Sequence, residues 1–318
     1  MQDTYGRKIE YLRISVTDAC NLCCGYCMPE SAKGSCPCKG SMNIDEFYEI
    51  ASAAAELGVK KLRITGGEPL VRSDIAELSK ALASIPGIED IAITTNGTLL
   101  EDKAQTLFDA GIKRINISLD TLNAEKYAEI TRGGNLSDAI RGIKAALRVG
   151  MSPVKINTVL IGGFNDDEIE SLAKLTMDYP VDVRFIELMP IGFAAPYGKE
   201  AYISNETVLK KLPRLEPVPS EKGTVARLYK LPGAKGSVGL ISPLSNHFCA
   251  ECNRLRLTAD GCLKPCLHSA EEIPVRGLHG DELKETILTA VSHKPKMHVE
   301  LSATERSESQ RSMYRIGG

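Results

Sequence analysis

Between residue 11 and about residue 189, short runs rich in β-branched residues alternate with longer stretches whose apolar positions recur every three or four residues. The short runs, residues 11–16, 61–65, 90–94, 114–119, 154–160 and 181–188, read as strands. The longer stretches read as helices near residues 43–57, 74–82, 101–109, 136–149 and 166–177. The first helix is the most fully specified. Asn43 can cap it, Glu46 stands three residues on, Ile44, Phe47, Ile50, Ala51 and Ala54 share a face, and Gly58 stops it. Six strands separated by helices imply right-handed βαβ crossovers and a parallel sheet. Six units rather than eight imply an α/β fold of the incomplete (β/α)6 TIM-like barrel type, whose sites collect at the C-terminal ends of the strands.

The periodicity weakens from residue 190 to about residue 244, where seven prolines and scattered glycines interrupt it. The expected organisation is a partial barrel over 1–190, a smaller C-terminal subdomain over 191–301, and a flexible polar tail over 302–318 that ends in Gly317-Gly318. Of the 318 residues 43% are apolar, enough for a buried core. Lys plus Arg number 39 against 41 Asp plus Glu, so no global basic field exists to hold nucleic acid or an anionic membrane. Residues 1–8 are polar with no apolar stretch behind them, and no run reaches transmembrane length, which points to the cytoplasm. Ten cysteines then belong in a reducing compartment, where thiols serve as metal ligands more often than as disulfides.

Four of those thiols lie within Cys20-Asn21-Leu22-Cys23-Cys24-Gly25-Tyr26-Cys27, directly after the first strand. Cys20, Cys24 and Cys27 form a C-x3-C-x2-C set that can wrap one face of an iron–sulfur cube. One iron is then left without a protein ligand, open for a small molecule. A structural zinc knot or a disulfide cluster is the plainer alternative. After the second strand comes Thr65-Gly66-Gly67-Glu68-Pro69, whose paired glycines let a ligand approach the backbone, although such a turn is as often structural. Polar residues at further strand ends, Thr94-Thr95-Asn96-Gly97, Ser118-Leu119-Asp120, Lys155-Ile156-Asn157 and Glu187-Leu188-Met189, could line one cavity, or could be ordinary caps and turns.

A second cysteine group lies near the other end. Cys249, Cys252, Cys262 and Cys266 together give C-x2-C-x9-C-x3-C, a zinc-like spacing, whereas Cys249, Cys252 and Cys266 alone give a second three-thiolate set. Arg254 and Arg256, two apart on an apparent strand, point to one face, where paired guanidiniums suit phosphate. Alternating Arg with Leu is also an ordinary half-buried strand. Cys23, Cys36, Cys38 and Cys262 remain surplus to both three-thiol sets, and Cys36-Pro37-Cys38 reads as incidental or redox-labile thiols rather than a third metal site.

The loop carrying Cys20, Cys24, Tyr26 and Cys27, with the Gly-Gly-Glu turn one strand later, resembles the radical S-adenosylmethionine superfamily. Several segments narrow the resemblance to the GTP 3′,8-cyclase family of molybdenum cofactor biosynthesis, over nearly the whole chain. They are Leu12-Arg13-Ile14-Ser15-Val16-Thr17-Asp18, Leu62-Arg63-Ile64-Thr65-Gly66-Gly67-Glu68-Pro69-Leu70, Asn116-Ile117-Ser118-Leu119-Asp120, Phe185-Ile186-Glu187-Leu188-Met189-Pro190, Cys252-Asn253-Arg254-Leu255-Arg256-Leu257-Thr258 and the terminal Gly317-Gly318. The resemblance implies two [4Fe-4S] clusters, on Cys20, Cys24 and Cys27 and on Cys249, Cys252 and Cys266. It implies S-adenosylmethionine against Tyr26, Gly67, Ser118 and Met189, with Glu68 suited to the ammonium group of its methionine part. GTP would lie against Arg13, Arg63, Thr94, Lys155, Arg254, Leu255 and Arg256, and Gly317 and Gly318 would support the radical step. The implied reaction converts GTP to (8S)-3′,8-cyclo-7,8-dihydroguanosine 5′-triphosphate, with an electron donor and the enzyme of the next molybdopterin step as partners and a homodimer compatible with it.

Two other functions fit parts of the sequence. A peptide-modifying radical S-adenosylmethionine enzyme would share the first loop but has no need of paired arginines for a triphosphate. A non-catalytic zinc-binding protein, its Gly-Gly end conjugated as in ubiquitin-like modifiers, would share the second cysteine group. A chain with six βα units is too large for that modifier fold.

Overall fold

The structure is a computed structural model that describes residues 1–32, 40–219, 223–298 and 307–317. Its six central strands are β1 (Tyr11–Ser15), β2 (Lys61–Thr65), β3 (Asp90–Thr95), β4 (Arg114–Ser118), β5 (Val154–Leu160) and β6 (Val181–Glu187). Each pairs in parallel with the next. The helices α1 (Ile44–Glu56), α2 (Ile75–Ala83), α3 (Leu100–Asp109), α4 (Ala124–Ile130), α5 (Leu136–Arg148) and α6 (Ile169–Asp178) lie between them in the chain. Asn43 caps α1 as its spacing predicts: its Oδ1 accepts from the Glu46 N–H at 2.9 Å, and its own N–H donates to the Glu46 carboxylate at 2.8 Å.

Residues 191–298 add more regular structure than the sequence suggests. They hold the short helices α7 (Gly198–Ala201) and α8 (Glu206–Lys211), and the strands β7 (Glu216–Val218), β8 (Arg227–Lys230), β9 (Val238–Ile241), β10 (Arg254–Leu257), β11 (Cys262–Lys264) and β12 (Ile273–Pro274). Helix α9 (Gly280–Ser292) follows, and α10 (Met313–Ile316) lies in the tail. These strands extend the same sheet at both edges, in the order β12-β11-β10-β1-β2-β3-β4-β5-β6-β9-β8-β7. Strand β10 is parallel to β1 and β9 is parallel to β6, so eight consecutive strands run in one direction. The barrel is therefore wider than six units, and the region after residue 190 shares its core: Leu240, Leu255, Leu257, Leu263 and Ile287 belong to one hydrophobic cluster with Ile14, Ile64 and Phe185.

Register then sorts the side chains, because successive strand residues face opposite ways. Arg13 pairs with Arg63 on one side and Arg256 on the other, while Leu12 pairs with Leu62 and Leu255. One set of positions is fully buried and apolar against the helices. The other set faces the concave interior, where burial alone would favour apolar residues and the sequence instead places arginines, lysines and polar groups.

Candidate active site

Topology puts the two cysteine groups at opposite ends of this interior. Cys20, Cys24 and Cys27 follow the C-terminal end of β1. Cys249 and Cys252 precede β10, and Cys266 follows β11, which runs antiparallel to β10 and so returns to the same end. All six thiols border one cavity of about 490 Å³. Between the two ends, Arg13, Arg63, Thr94, Lys155, Arg254 and Arg256 face the same space. Among the described residues nine Lys or Arg side chains border it against two carboxylates, Asp120 and Glu187, in a chain whose overall charge is nearly balanced.

That crowding shows in the chemistry of the cations. Burial and the neighbouring Arg184 hold the Lys155 amine down to about 8, and burial and Arg254 lower Arg256 to about 10. Among the described residues, Arg63 Nη1, Arg184 Nε, Arg254 Nε and Thr94 Oγ1 are buried without a hydrogen-bond partner. Such donors are costly unless something meets them, and a polyanion suits three guanidiniums gathered on one surface. The Tyr11 hydroxyl accepts from Arg63 Nε at 2.7 Å. Burial opposes its ionisation, yet Arg63, Arg13 and Arg254 together bring it down to about 8.

The first thiol group has the opposite surroundings. Burial pushes Cys20 and Cys27 up to about 12 and Cys24 well above the usual thiol range, and the nearby Glu68 and Asp120 carboxylates add to the effect. Bound metal is what would keep these buried sulfurs as thiolates. Among the described residues no group of three or more His, Cys, Asp or Glu is arranged around a single metal ion. A cube takes one thiolate per iron and so spreads its ligands more widely, and the three-thiol sets fit that use better than they fit a zinc knot. At the second group burial works against Cys252, but Lys294 and Arg254 lower it below the usual thiol range.

Tyr26, Gly67, Ser118 and Met189 border the cavity at the first-thiol end. The Tyr26 hydroxyl donates to Asp120 at 2.7 Å, and burial raises that carboxyl to about 6. The two glycines of the Gly-Gly-Glu turn are required by the protein itself. A Cβ on Gly67 would lie 2.3 Å from the Ala19 carbonyl oxygen, since the Gly67 N–H donates to Thr17 O at 2.7 Å and the Glu68 N–H to Ala19 O at 2.8 Å. The turn thus braces the loop that leads into Cys20.

Three expected site residues stand apart from the cavity. Glu68 is fully buried, and its carboxylate accepts from Leu70 N–H, Thr95 Oγ1 and Asn96 N–H at 2.6–2.9 Å, so it organises the loops around the site. Leu255 points into the apolar core because it alternates with Arg254 and Arg256. Gly317 lies beside Thr65, held by Arg256 Nη1, which donates to its carbonyl at 2.8 Å, while Gly318 lies outside the described residues. The tail is tied elsewhere too: Arg311 grips Asp260 and Glu272, Arg315 Nε donates to Asp18 at 3.0 Å, and the Tyr314 backbone hydrogen-bonds the Cys27 sulfur. The surplus Cys23 is buried, its thiol donating to Pro29 O at 3.3 Å, and neither it nor Cys262 borders the cavity. Cys36 and Cys38 lie outside the described residues.

Sequence reasoning passed over Tyr11, Arg184 and Lys294, all of which border the cavity. Alternation could have found the first two, since Tyr11 is two residues before Arg13 and Arg184 lies between Asp182 and Ile186 on a strand. Nothing local marks Lys294.

Comparison with known proteins decides among the readings. Residues 14–176 match the radical SAM superfamily and residues 181–300 match the family described as Molybdenum Cofactor Synthesis C. The GTP 3′,8-cyclase of Alkaliphilus oremlandii (strain OhILAs) is 52% identical, covering 100% of both chains. That of Pelotomaculum thermopropionicum is 50% identical, again over 100% of both. The chain belongs to the GTP 3′,8-cyclase family of the radical SAM superfamily. Its fold is shared with Streptococcus suis SuiB bound to S-adenosylmethionine, at a TM-score of 0.61 and 17% identity over 89% of this chain and 68% of that one. Native anSMEcpe with bound AdoMet gives 0.60 and 16% over 96% and 93%. Superfamily membership brings S-adenosylmethionine and a [4Fe-4S] cluster as cofactors. Among the described residues no helix is long and apolar enough to cross a membrane.

Proposed function

We infer that this chain converts GTP to (8S)-3′,8-cyclo-7,8-dihydroguanosine 5′-triphosphate, the first step of molybdenum cofactor biosynthesis. The observation that carries the inference is one cavity with a three-thiol set at each end and a dense basic layer between them, in a chain 52% identical to a GTP 3′,8-cyclase. Cys20, Cys24 and Cys27 would hold the first cluster, with S-adenosylmethionine on its open iron and against Tyr26, Gly67, Ser118 and Met189. When bound, that pair supplies a 5′-deoxyadenosyl radical. Cys249, Cys252 and Cys266 would hold a second [4Fe-4S] cluster, with the guanine beside it.

The remaining work belongs to the chain. Arg13, Arg63, Lys155, Arg254 and Arg256 meet the triphosphate with charge-assisted hydrogen bonds, and Thr94 offers a further hydroxyl. A nucleotide fixed at both ends presents its ribose C3′ toward the radical source and displaces the water that would quench it. Gly317, held by Arg256 Nη1 on the strand that borders the cavity, brings the tail to the edge of the same site, and the Gly317-Gly318 end would support the radical step from there. The organisation into 1–190, 191–301 and 302–318, a cytoplasmic setting, an external electron donor, hand-over to the next molybdopterin enzyme and a homodimer complete this proposal.

The test is anaerobic turnover of the reconstituted full chain with GTP deuterated at C3′. The product expected is an isomer of GTP, with the deuterium recovered in 5′-deoxyadenosine. Cyclised product that keeps its deuterium, with unlabelled 5′-deoxyadenosine formed beside it, would refute abstraction at C3′.

A further inference from the structure

Lys294 follows α9 and is 3% exposed. Among the described residues its ammonium has no carboxylate partner. Its three donors meet three acceptors: Arg254 O at 2.6 Å, Pro265 O at 2.7 Å and, more distantly, Cys252 Sγ at 4.0 Å. Only a protonated amine has a donor for each. Both carbonyls belong to thiol-bearing segments, one two residues after Cys252 and the other directly before Cys266, so Lys294 sits where those segments converge.

Another buried cation approaches the same loop. Arg7 Nη1 donates to Cys249 O at 2.8 Å, but its charge is met by Asp3 at 2.5 Å. The Lys294 charge therefore stands against the sulfurs themselves. At the other end of the cavity the buried ionisable groups beside the thiols include carboxyls, whose ionised form carries the opposite sign. Glu68 holds the backbone of Asn96, whose Nδ2 lies 4.0 Å from Cys20 Sγ, and Asp120 accepts from Tyr26, the residue before Cys27.

A fixed positive charge beside a cluster favours its reduced, more negative state, and a negative one disfavours it, because the potential follows net charge and the hydrogen bonds to sulfur. We propose that Lys294 is a positioning residue of electrostatic kind, which sets the reduction potential of the second cluster above that of the first. The inference rests on the reading that Cys249, Cys252 and Cys266 hold a cluster. Its consequence is a cavity poled along its length: an incoming electron settles first at the substrate end, and the first cluster keeps the low potential that cleaving a sulfonium demands.

The experiment uses the full chain reconstituted anaerobically, with iron and sulfide analysis and a redox titration followed by electron paramagnetic resonance. Wild type should hold about eight irons. Lys294→Gln and Lys294→Met should lower the midpoint of the second cluster and leave the first unmoved, and Lys294→Arg should restore it. A background of Cys20→Ala, Cys24→Ala and Cys27→Ala, which carries the second cluster alone, assigns the signal. An unchanged second midpoint in an iron-replete Lys294→Met protein overturns the proposal. Loss of the second cluster's irons in both neutral variants also overturns it and assigns Lys294 to assembly. About four irons in wild type would overturn the second-cluster reading itself, and this proposal with it.

Discussion

Replacing Gly317 with Ala tests whether the tail acts from its docked position. Gly317 has φ +70°, where a side chain is strained by roughly 1–2 kcal/mol. The added Cβ would lie 2.1 Å from Thr65 Oγ1, too close for any accommodation without moving the backbone. The tail must then withdraw, and Arg256 loses its hydrogen bonds to Gly317 O at 2.8 Å and Ile316 O at 3.3 Å. One charged hydrogen bond contributes about 1.5–3 kcal/mol. Docking should weaken by about 3 kcal/mol in all, roughly a hundredfold in population at 1.4 kcal/mol per decade. Cyclised product should fall by about that factor while 5′-deoxyadenosine formation and melting temperature change little, because the tail's other anchors, Arg311 and Arg315, remain. The double variant Thr65→Ala, Gly317→Ala removes the colliding oxygen and leaves the strain, so it should recover about tenfold, a coupling larger than distant sites show. Wild-type product formation by Gly317→Ala, or an equal defect in the double variant, would refute the steric argument.

Cys24→Ala should abolish reductive cleavage of S-adenosylmethionine, read as 5′-deoxyadenosine, whereas Cys23→Ala, whose thiol faces Pro29 and Arg132 outside the cavity, should retain it. Arg254→Ala combined with Arg256→Ala should weaken GTP more than guanosine in anaerobic equilibrium binding, by about 1.5–3 kcal/mol per lost phosphate contact; equal losses would show that these arginines only shape the pocket. Lys155, held at about 8 by burial against an ordinary 10.5, stays neutral in the folded chain over a range where the unfolded chain binds a proton. Stability should therefore rise with pH from about 8 to 10.5, and the burial penalty is fully present below that window. A bound triphosphate restores the charge, so GTP binding near pH 8.5 should take up protons in calorimetry across two buffers, part of that uptake should vanish in Lys155→Met, and a wild type without uptake would contradict it.

The six central strands were legible because each is a short β-branched run closed by a polar turn, and α1 because its capping box is written in Asn43 and Glu46. Helix α9 carried a signal that went unused: Leu283, Ile287, Ala290 and Val291 repeat at helical spacing and are buried. Strand β10 could be suspected, but its place beside β1 could not, since that pairing joins residues some 240 positions apart and no local pattern encodes a neighbour. The Gly-Gly-Glu motif drew attention to Glu68, yet a motif does not say which way a side chain points. Three N–H and O–H donors converge on that carboxylate, and through them it braces the Gly-Gly-Glu turn against the end of β3.

Lys294 marks where the sequence could not reach. A lysine after a helix and before a proline reads as a solvated end, and only the folding of two distant segments onto it makes it a buried charge against sulfur. The same holds for the cavity as a whole. The formal net charge of −2 conceals nine cations gathered, among the described residues, on one interior surface. A fold tolerates such repulsion only where something else supplies the counter-charge. At one end thiolates can supply it; in the middle a polyanionic nucleotide would.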